Sequence, residues 1–235
     1  MKKTVNRLVN WTKSLTFVND NNQHPKNMKR TIISAIAALM CIVATAQERI
    51  QLPTPQPEKL TKMTLMDALK MRQSIREFVS SELSNEQLSV ILWAACGINR
   101  PESGKLTNPT ARNIQDIKVY VCRADGAWLY DAKGNALVKV LNKDLRGPIA
   151  GMQASVKEAP ISLLLVSDQR NERRPNRDWA FCDAGYVSQN IYLACTALGM
   201  GTVARAMMDQ ETLQKELGLG EGQFLVLNHP IGFAK

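Results

Sequence analysis

With 235 residues, 45% of them hydrophobic and 22% charged, the chain has enough surface to bury for one domain or two small ones. Its 13 glycines and 10 prolines are too few for a collagen-like or low-complexity polymer. The formal charge of +9 does not mark a nucleic-acid binder, because residues 1–46 hold Lys2, Lys3, Arg7, Lys13, Lys26, Lys29 and Arg30 against Asp20 alone.

The remainder carries 23 basic and 20 acidic side chains, a surplus of three. Two histidines, His24 and His229, leave no basis for a multi-histidine metal site, so no metal is expected.

In chain order, Met28-Lys29-Arg30 precedes the apolar run Thr31–Ala44, and Ala44-Thr45-Ala46 follows with a small-x-small exit. A basic start, a short apolar stretch and small residues at the end read as a secretory signal peptide over residues 28–46. Fourteen residues are too few to span a bilayer, so export to the periplasm is expected, with no permanent membrane anchor. Residues 1–27, polar and unpatterned, read as an extension or as a start assigned too early. Residues 47–63, with Pro53, Pro55 and Pro57, read as an extended tether before a domain at 64–235.

Thr64 with Asp67, and Ser84 with Gln87, have the spacing of helix starts, and Gly97 ends the second helix. Asn99–Asn108 reads as loop. Ile117–Cys122 reads as a strand, and Trp128–Tyr130 with Ala136–Val140 as a hairpin around Lys133-Gly134-Asn135. Ile161–Val166 reads as a strand, apolar but for Ser162. Asp168–Arg177 is a polar loop rich in arginine.

The strongest helix is expected from about Asp178 to Leu198, on Ala184, Val187, Ile191, Ala194 and Leu198, closed by Gly199. Asp209 caps a short helix, and Phe224–Leu227 is a last strand. Scattered strands without regular alternation favour α+β over a doubly wound sheet. Cys96, Cys122, Cys182 and Cys195 remain after the leader. Cys182 and Cys195 stand roughly 20 Å apart on one helix and cannot pair there. Buried thiols are the default expectation.

The segment Arg72-Gln73-Ser74-Ile75-Arg76 lies where the first helix gives out. In an extended chain Arg72, Ser74 and Arg76 point to one side, and two guanidiniums with a hydroxyl suit a phosphate dianion. A solvated basic turn is the alternative. Downstream come Asn108-Pro109-Thr110-Ala111-Arg112-Asn113-Ile114-Gln115, then Leu198-Gly199-Met200-Gly201-Thr202, then His229-Pro230-Ile231-Gly232-Phe233. In that order, from Thr64 to Lys235, these segments resemble the FMN-dependent nitroreductase family.

The resemblance implies an α+β fold with a central, mainly antiparallel sheet flanked by helices, in an intertwined homodimer with FMN at the interface. It implies that Arg72, Gln73, Ser74 and Arg76 hold the flavin phosphate and ring edge. Pro109, Thr110, Ala111 and Asn113 would reach the flavin of the partner subunit. The stretch Ala204-Arg205-Ala206-Met207 would turn backbone N–H groups toward the flavin N5, and Lys235 would supply a late phosphate contact. Gln73 departs from the family pattern, where an arginine or histidine is frequent.

The implied reaction takes hydride from NADH or NADPH through FMN to a small-molecule acceptor such as a nitro compound or quinone. No side chain is expected to be catalytic, because the flavin does the chemistry. An exported flavin-binding protein without turnover is the alternative. His229, beside Pro230 in an apolar strand, is expected to be structural.

Overall fold

The computed structural model describes residues 47–235, and the expected signal peptide lies outside the described residues. The first strand, β1 (Arg49–Gln51), pairs antiparallel with β7 (Ala136–Leu141), with Ile50 opposite Leu137. Leu52 behind it is 3% exposed, and its N–H donates to Asn135 O. The expected tether is therefore corrected at its start: those residues form an edge of the sheet. The short helix α1 (Pro57–Leu60) begins on a proline, whose missing N–H costs nothing in a first turn.

Helix α2 (Leu65–Met71) is capped by Thr64, whose hydroxyl accepts from the Asp67 N–H, and it ends at Arg72 in extended backbone. After β2 (Phe78–Val79), helix α3 (Asn85–Cys96) opens on the full reciprocal box between Ser84 and Gln87. Gly97 ends it for a reason other than a left-handed turn. A Cβ there would lie 2.5–2.8 Å from Trp93, so the glycine makes room for that residue. The expected loop after it holds a small ribbon, β3 (Ile98–Arg100) with β4 (Lys105–Leu106).

The central sheet runs β1, β7, β6 (Gly126–Asp131), β5 (Ile117–Arg123), β8 (Ile161–Asp168), β10 (Gln223–Ala234), β2, with β9 (Gly201–Thr202) also on β10, and every pairing is antiparallel. Its inner strands are β5, β6 and β8. Helix α4 (Arg146–Ala150) stands between β7 and β8. Strand β8 carries the apolar run Leu163–Val166 because both of its faces are covered. Leu163 and Leu165 join the core that includes α3 and the long helix α5 (Arg177–Ala197). Leu164 and Val166 join the opposite core, with Ile149 of α4 and Leu213 of α6 (Gln210–Leu217). A fully buried leucine contributes roughly 2 kcal/mol, so the two cores together set the sheet's position between the helices.

Helix α5 is the element that carries the site. Asn176 caps it by accepting from Trp179 N, and it closes on Gly199 at φ +70°. Ala184, Val187, Ile191 and Cys195 face the sheet. Strand β9 (Gly201–Thr202) follows directly and pairs with Ile231 and Gly232 of β10 (Gln223–Ala234). The last strand is longer than its apolar stretch predicts and runs through Pro230 to the end of the chain. The expected α+β class, with a mainly antiparallel sheet flanked by helices, is what the chain adopts.

Candidate functional site

Arg72 begins an extended segment because α2 ends there, and this segment is pinned from three sides. Ile75 N–H donates to Thr202 O at 3.0 Å. Gly201 packs so close that a Cβ would stand 2.7 Å from the Cβ of Ile75, so only glycine lets the two strands touch. The hydroxyls of Ser74 and Tyr192 lie 2.8 Å apart, and the Arg72 guanidinium stands over the Tyr192 ring, 5.1 Å from its centre.

Neither Arg72 nor Arg76 has an ion-pair partner among the described residues. Lys235 joins the same corner, since its N–H donates to Glu77 O and Ala234 pairs with Phe78. Gln73 is exposed on the same segment. The corner thus offers three cations and a hydroxyl, none of the cations ion-paired among the described residues, an arrangement able to hold a phosphate.

The segment after β9 differs in part from what the resemblance implies. Ala204 N–H donates to the Tyr192 hydroxyl at 2.8 Å, and Arg205 N–H donates to Asn228 O at 2.9 Å. Both donors are taken, so neither is free for a ligand. The Arg205 side chain also turns inward. It is 6% exposed and binds Gln153 Oε1, Ile149 O, Ala150 O and Asn228 Oδ1 at 2.7–3.0 Å. Burial pushes its pKa down, because its partners are neutral oxygens and no carboxylate offsets the desolvation. Ala206 and Met207 are exposed, and their N–H groups make no hydrogen bond among the described residues. The donors left for a ligand are therefore those two.

The loop at 109–113 is anchored elsewhere on α5. Ala111 N–H donates to both carboxylate oxygens of Asp183, at 2.9 and 3.1 Å. Burial raises the Asp183 pKa; the Ala111 bonds oppose that rise, and the nearby Asp116 charge adds to it. Thr110 Oγ1 accepts from Gln115 N, and Asn113 Oδ1 accepts from Gln115 Nε2. Arg112, Asn113 and Gln115 hold φ of 52°, 58° and 50°, a region that costs non-glycine residues energy, while Pro109 stands exposed at the loop's start. From Asp183 to Tyr192 the helix rises about 13 Å at about 1.5 Å per residue. One chain therefore does not bring Pro109–Asn113 onto the Arg72–Arg76 corner.

Sequence reasoning missed Tyr192, because a tyrosine inside an apolar helix pattern gives no signal of its three partners. His229 is structural, as expected. It is fully buried, bonded to Ser188 Oγ and Thr202 Oγ1, and held neutral with its pKa pushed down to about 3. Cys96 and Cys122 are buried with pKa values pushed up to about 12, and burial also raises that of Cys195. Cys182 departs from the expectation of buried thiols: it is exposed. Among the described residues no group of three or more His, Cys, Asp or Glu is placed to hold a metal, and no helix is long and apolar enough to cross a membrane.

The antiparallel sheet between two helical layers, with an unneutralised cationic corner at one end of the long helix, defines an α+β protein equipped to take an anionic ligand. The chain belongs to the nitroreductase family, whose model matches residues 69–233, and it is thereby an oxidoreductase of that family. A protein of Methanocaldococcus jannaschii that carries a nitroreductase name is 30% identical over 198 residues, covering 78% of this chain and 95% of its own.

A Ralstonia eutropha structure described as a nitroreductase is 34% identical, with a TM-score of 0.74 over 82% of this chain and 92% of that one. A Clostridium difficile protein described as an FMN-dependent nitroreductase shares the fold at 19% identity, with a TM-score of 0.50 over 72% and 87% of the two chains.

Proposed function

We propose that the protein is an FMN-dependent oxidoreductase. It takes hydride from NADH or NADPH and delivers hydride or electrons to a small organic acceptor such as a nitro compound or a quinone. One observation carries this reading: Arg72, Ser74 and Arg76 share one short segment, Lys235 is hydrogen-bonded to that segment at Glu77, and none of the three cations has an ion-pair partner among the described residues. Cations left unpaired at one corner match the dianionic phosphate of FMN, and the exposed N–H groups of Ala206 and Met207 match the polar edge of its ring. The residues present fit the cofactor.

Bound FMN supplies the exchange of hydride between donor and acceptor. The protein's own residues position and polarise. Arg72, Ser74 and Lys235 hold the phosphate, with Gln73 beside them. Arg76, further along the segment, would lie toward the ring edge of the cofactor, where its positive charge would favour an anionic ring. His229 takes no part in proton transfer, because it is buried and neutral. The names of the Clostridium difficile protein and of a Methanothermobacter thermautotrophicus relative called an NADH dehydrogenase/NAD(P)H nitroreductase, 29% identical over 149 residues, support cofactor and donor.

The working unit in this reading is a homodimer. Leu65, Met66, Leu69 and Met71 of α2, and Trp179, Phe181 and Tyr186 of α5, are exposed apolar side chains of the kind an interface covers. The Pro109–Asn113 loop, remote from its own corner, would then complete the site of the partner. The basic-apolar-small pattern at residues 28–46 supports export to the periplasm.

The test is a spectrum of the mature chain folded with FMN, followed by anaerobic NADPH and then a nitro compound. Flavin colour that bleaches and returns is the expected result. A colourless protein overturns the proposal, and colour that persists leaves a flavin-binding protein without turnover.

A further inference from the structure

The phenolic oxygen of Tyr192 meets two groups of the candidate site at once. Ala204 N–H can only donate, so at 2.8 Å the phenolic oxygen accepts from it. The phenol's own hydrogen then needs an acceptor, since Tyr192 is only 9% exposed. Ser74 Oγ, at 2.8 Å, is the acceptor within reach among the described residues. With Tyr192 donating to Ser74, the serine hydrogen is left without a protein acceptor and is directed out of the corner. The same ring lies under the Arg72 guanidinium at 5.1 Å.

One side chain of the long helix thereby fixes the polarity of Ser74, the place of Arg72 and the backbone at Ala204. We infer that Tyr192 is the positioning residue that makes this corner selective for a phosphomonoester: it turns Ser74 into an outward donor and holds Arg72 beside it. The inference rests on the proposed FMN reading and assigns the discrimination of FMN from riboflavin, which lacks the phosphate, to a residue that touches no ligand itself.

Tyr192→Phe keeps the ring and removes the hydroxyl, so it tests the polarity alone. FMN and riboflavin are titrated separately into wild type, Tyr192→Phe, Ser74→Ala and the double variant, with melting temperature as the check on folding. Tyr192→Phe is expected to weaken FMN about tenfold, in line with the loss of one bond to a charged group, and to leave riboflavin unchanged. The double variant is expected to match Ser74→Ala, because Tyr192 acts through the Ser74 hydroxyl, which Tyr192→Phe leaves undirected and Ser74→Ala removes. Equal weakening of FMN and riboflavin, or fully additive losses, would overturn the inference and leave Tyr192 a packing residue.

Inorganic phosphate, titrated into the same four proteins and followed by backbone amide shifts of residues 72–76, separates the two readings. If wild type takes neither flavin, the FMN proposal fails. The phosphate series still decides for Tyr192 if Tyr192→Phe weakens phosphate as Ser74→Ala does, and against it if phosphate binding is unchanged.

Discussion

Arg72 and Arg205 are both arginines that the family resemblance places at one site, and the structure puts them to opposite uses. Arg72 stands at the surface over a tyrosine ring with no carboxylate to neutralise it. Arg205 lies inside, with four of its five N–H donors spent on two carbonyls of α4, Asn228 and Gln153. A buried arginine must satisfy its donors within the protein, and Arg205, 6% exposed with four of its five N–H groups bonded inside, is not placed to serve a ligand. Only the unsatisfied cation is available for recognition.

That contrast breaks most visibly at Arg205. Arg205→Met takes the guanidinium away from four oxygens, three of them in buried bonds, and unfolding in urea should record a loss of about 3 kcal/mol or more. Arg205→Lys, which keeps the charge and some donors, should recover part of it. A variant as stable as wild type would mean that the guanidinium does not tie α4 to β10.

His229 sharpens the interior half of the comparison through pH. Its pKa is about 3 in the fold against an ordinary value of 6.5. Above pH 6.5 both states are neutral, and the group adds no pH dependence. Below it the unfolded chain binds a proton that the native chain refuses, so stability falls by about 1.4 kcal/mol per pH unit toward pH 3. His229→Gln should flatten that slope in urea titrations at pH 7 and pH 5; an unchanged slope would assign the acid sensitivity elsewhere.

Gly201 joins interior and site. Gly201→Ala forces its new Cβ against Ile75 and should cost about 1–3 kcal/mol, together with weaker FMN retention as the Arg72–Arg76 segment shifts. Loss of stability without loss of flavin would show that the segment adapts.

Arg72→Ala has the smallest expected effect on the fold, within about 0.5 kcal/mol, because the side chain has no ion-pair partner. It should purify with far less FMN at an unchanged melting temperature, whereas full occupancy would remove Arg72 from the phosphate site.

Much of the architecture is legible in the chain because it is written locally. Thr64 with Asp67, Ser84 with Gln87 and Asp209 with Gly218 mark helix ends by chemistry that needs only neighbours a few residues away. The apolar run of β8 announces a strand covered on both faces. The two- and three-residue strands β1, β2 and β9 carry no periodicity, so nothing in the sequence distinguishes Arg49–Gln51 from a tether.

The site divides the same way. Residue types and spacing single out Arg72, Ser74 and Arg76 as a group suited to phosphate, since alternation in an extended segment is a local property. The order of segments along the chain identifies the family, because it is a property of the sequence as a whole. Tertiary packing decides which donors remain free. The pairing of Arg205 with Asn228 consumes one backbone N–H, the Tyr192 hydroxyl consumes another, and Ala206 and Met207 are left exposed. Hydrogen-bond satisfaction depends on groups far apart in the chain, and only the folded arrangement brings them together.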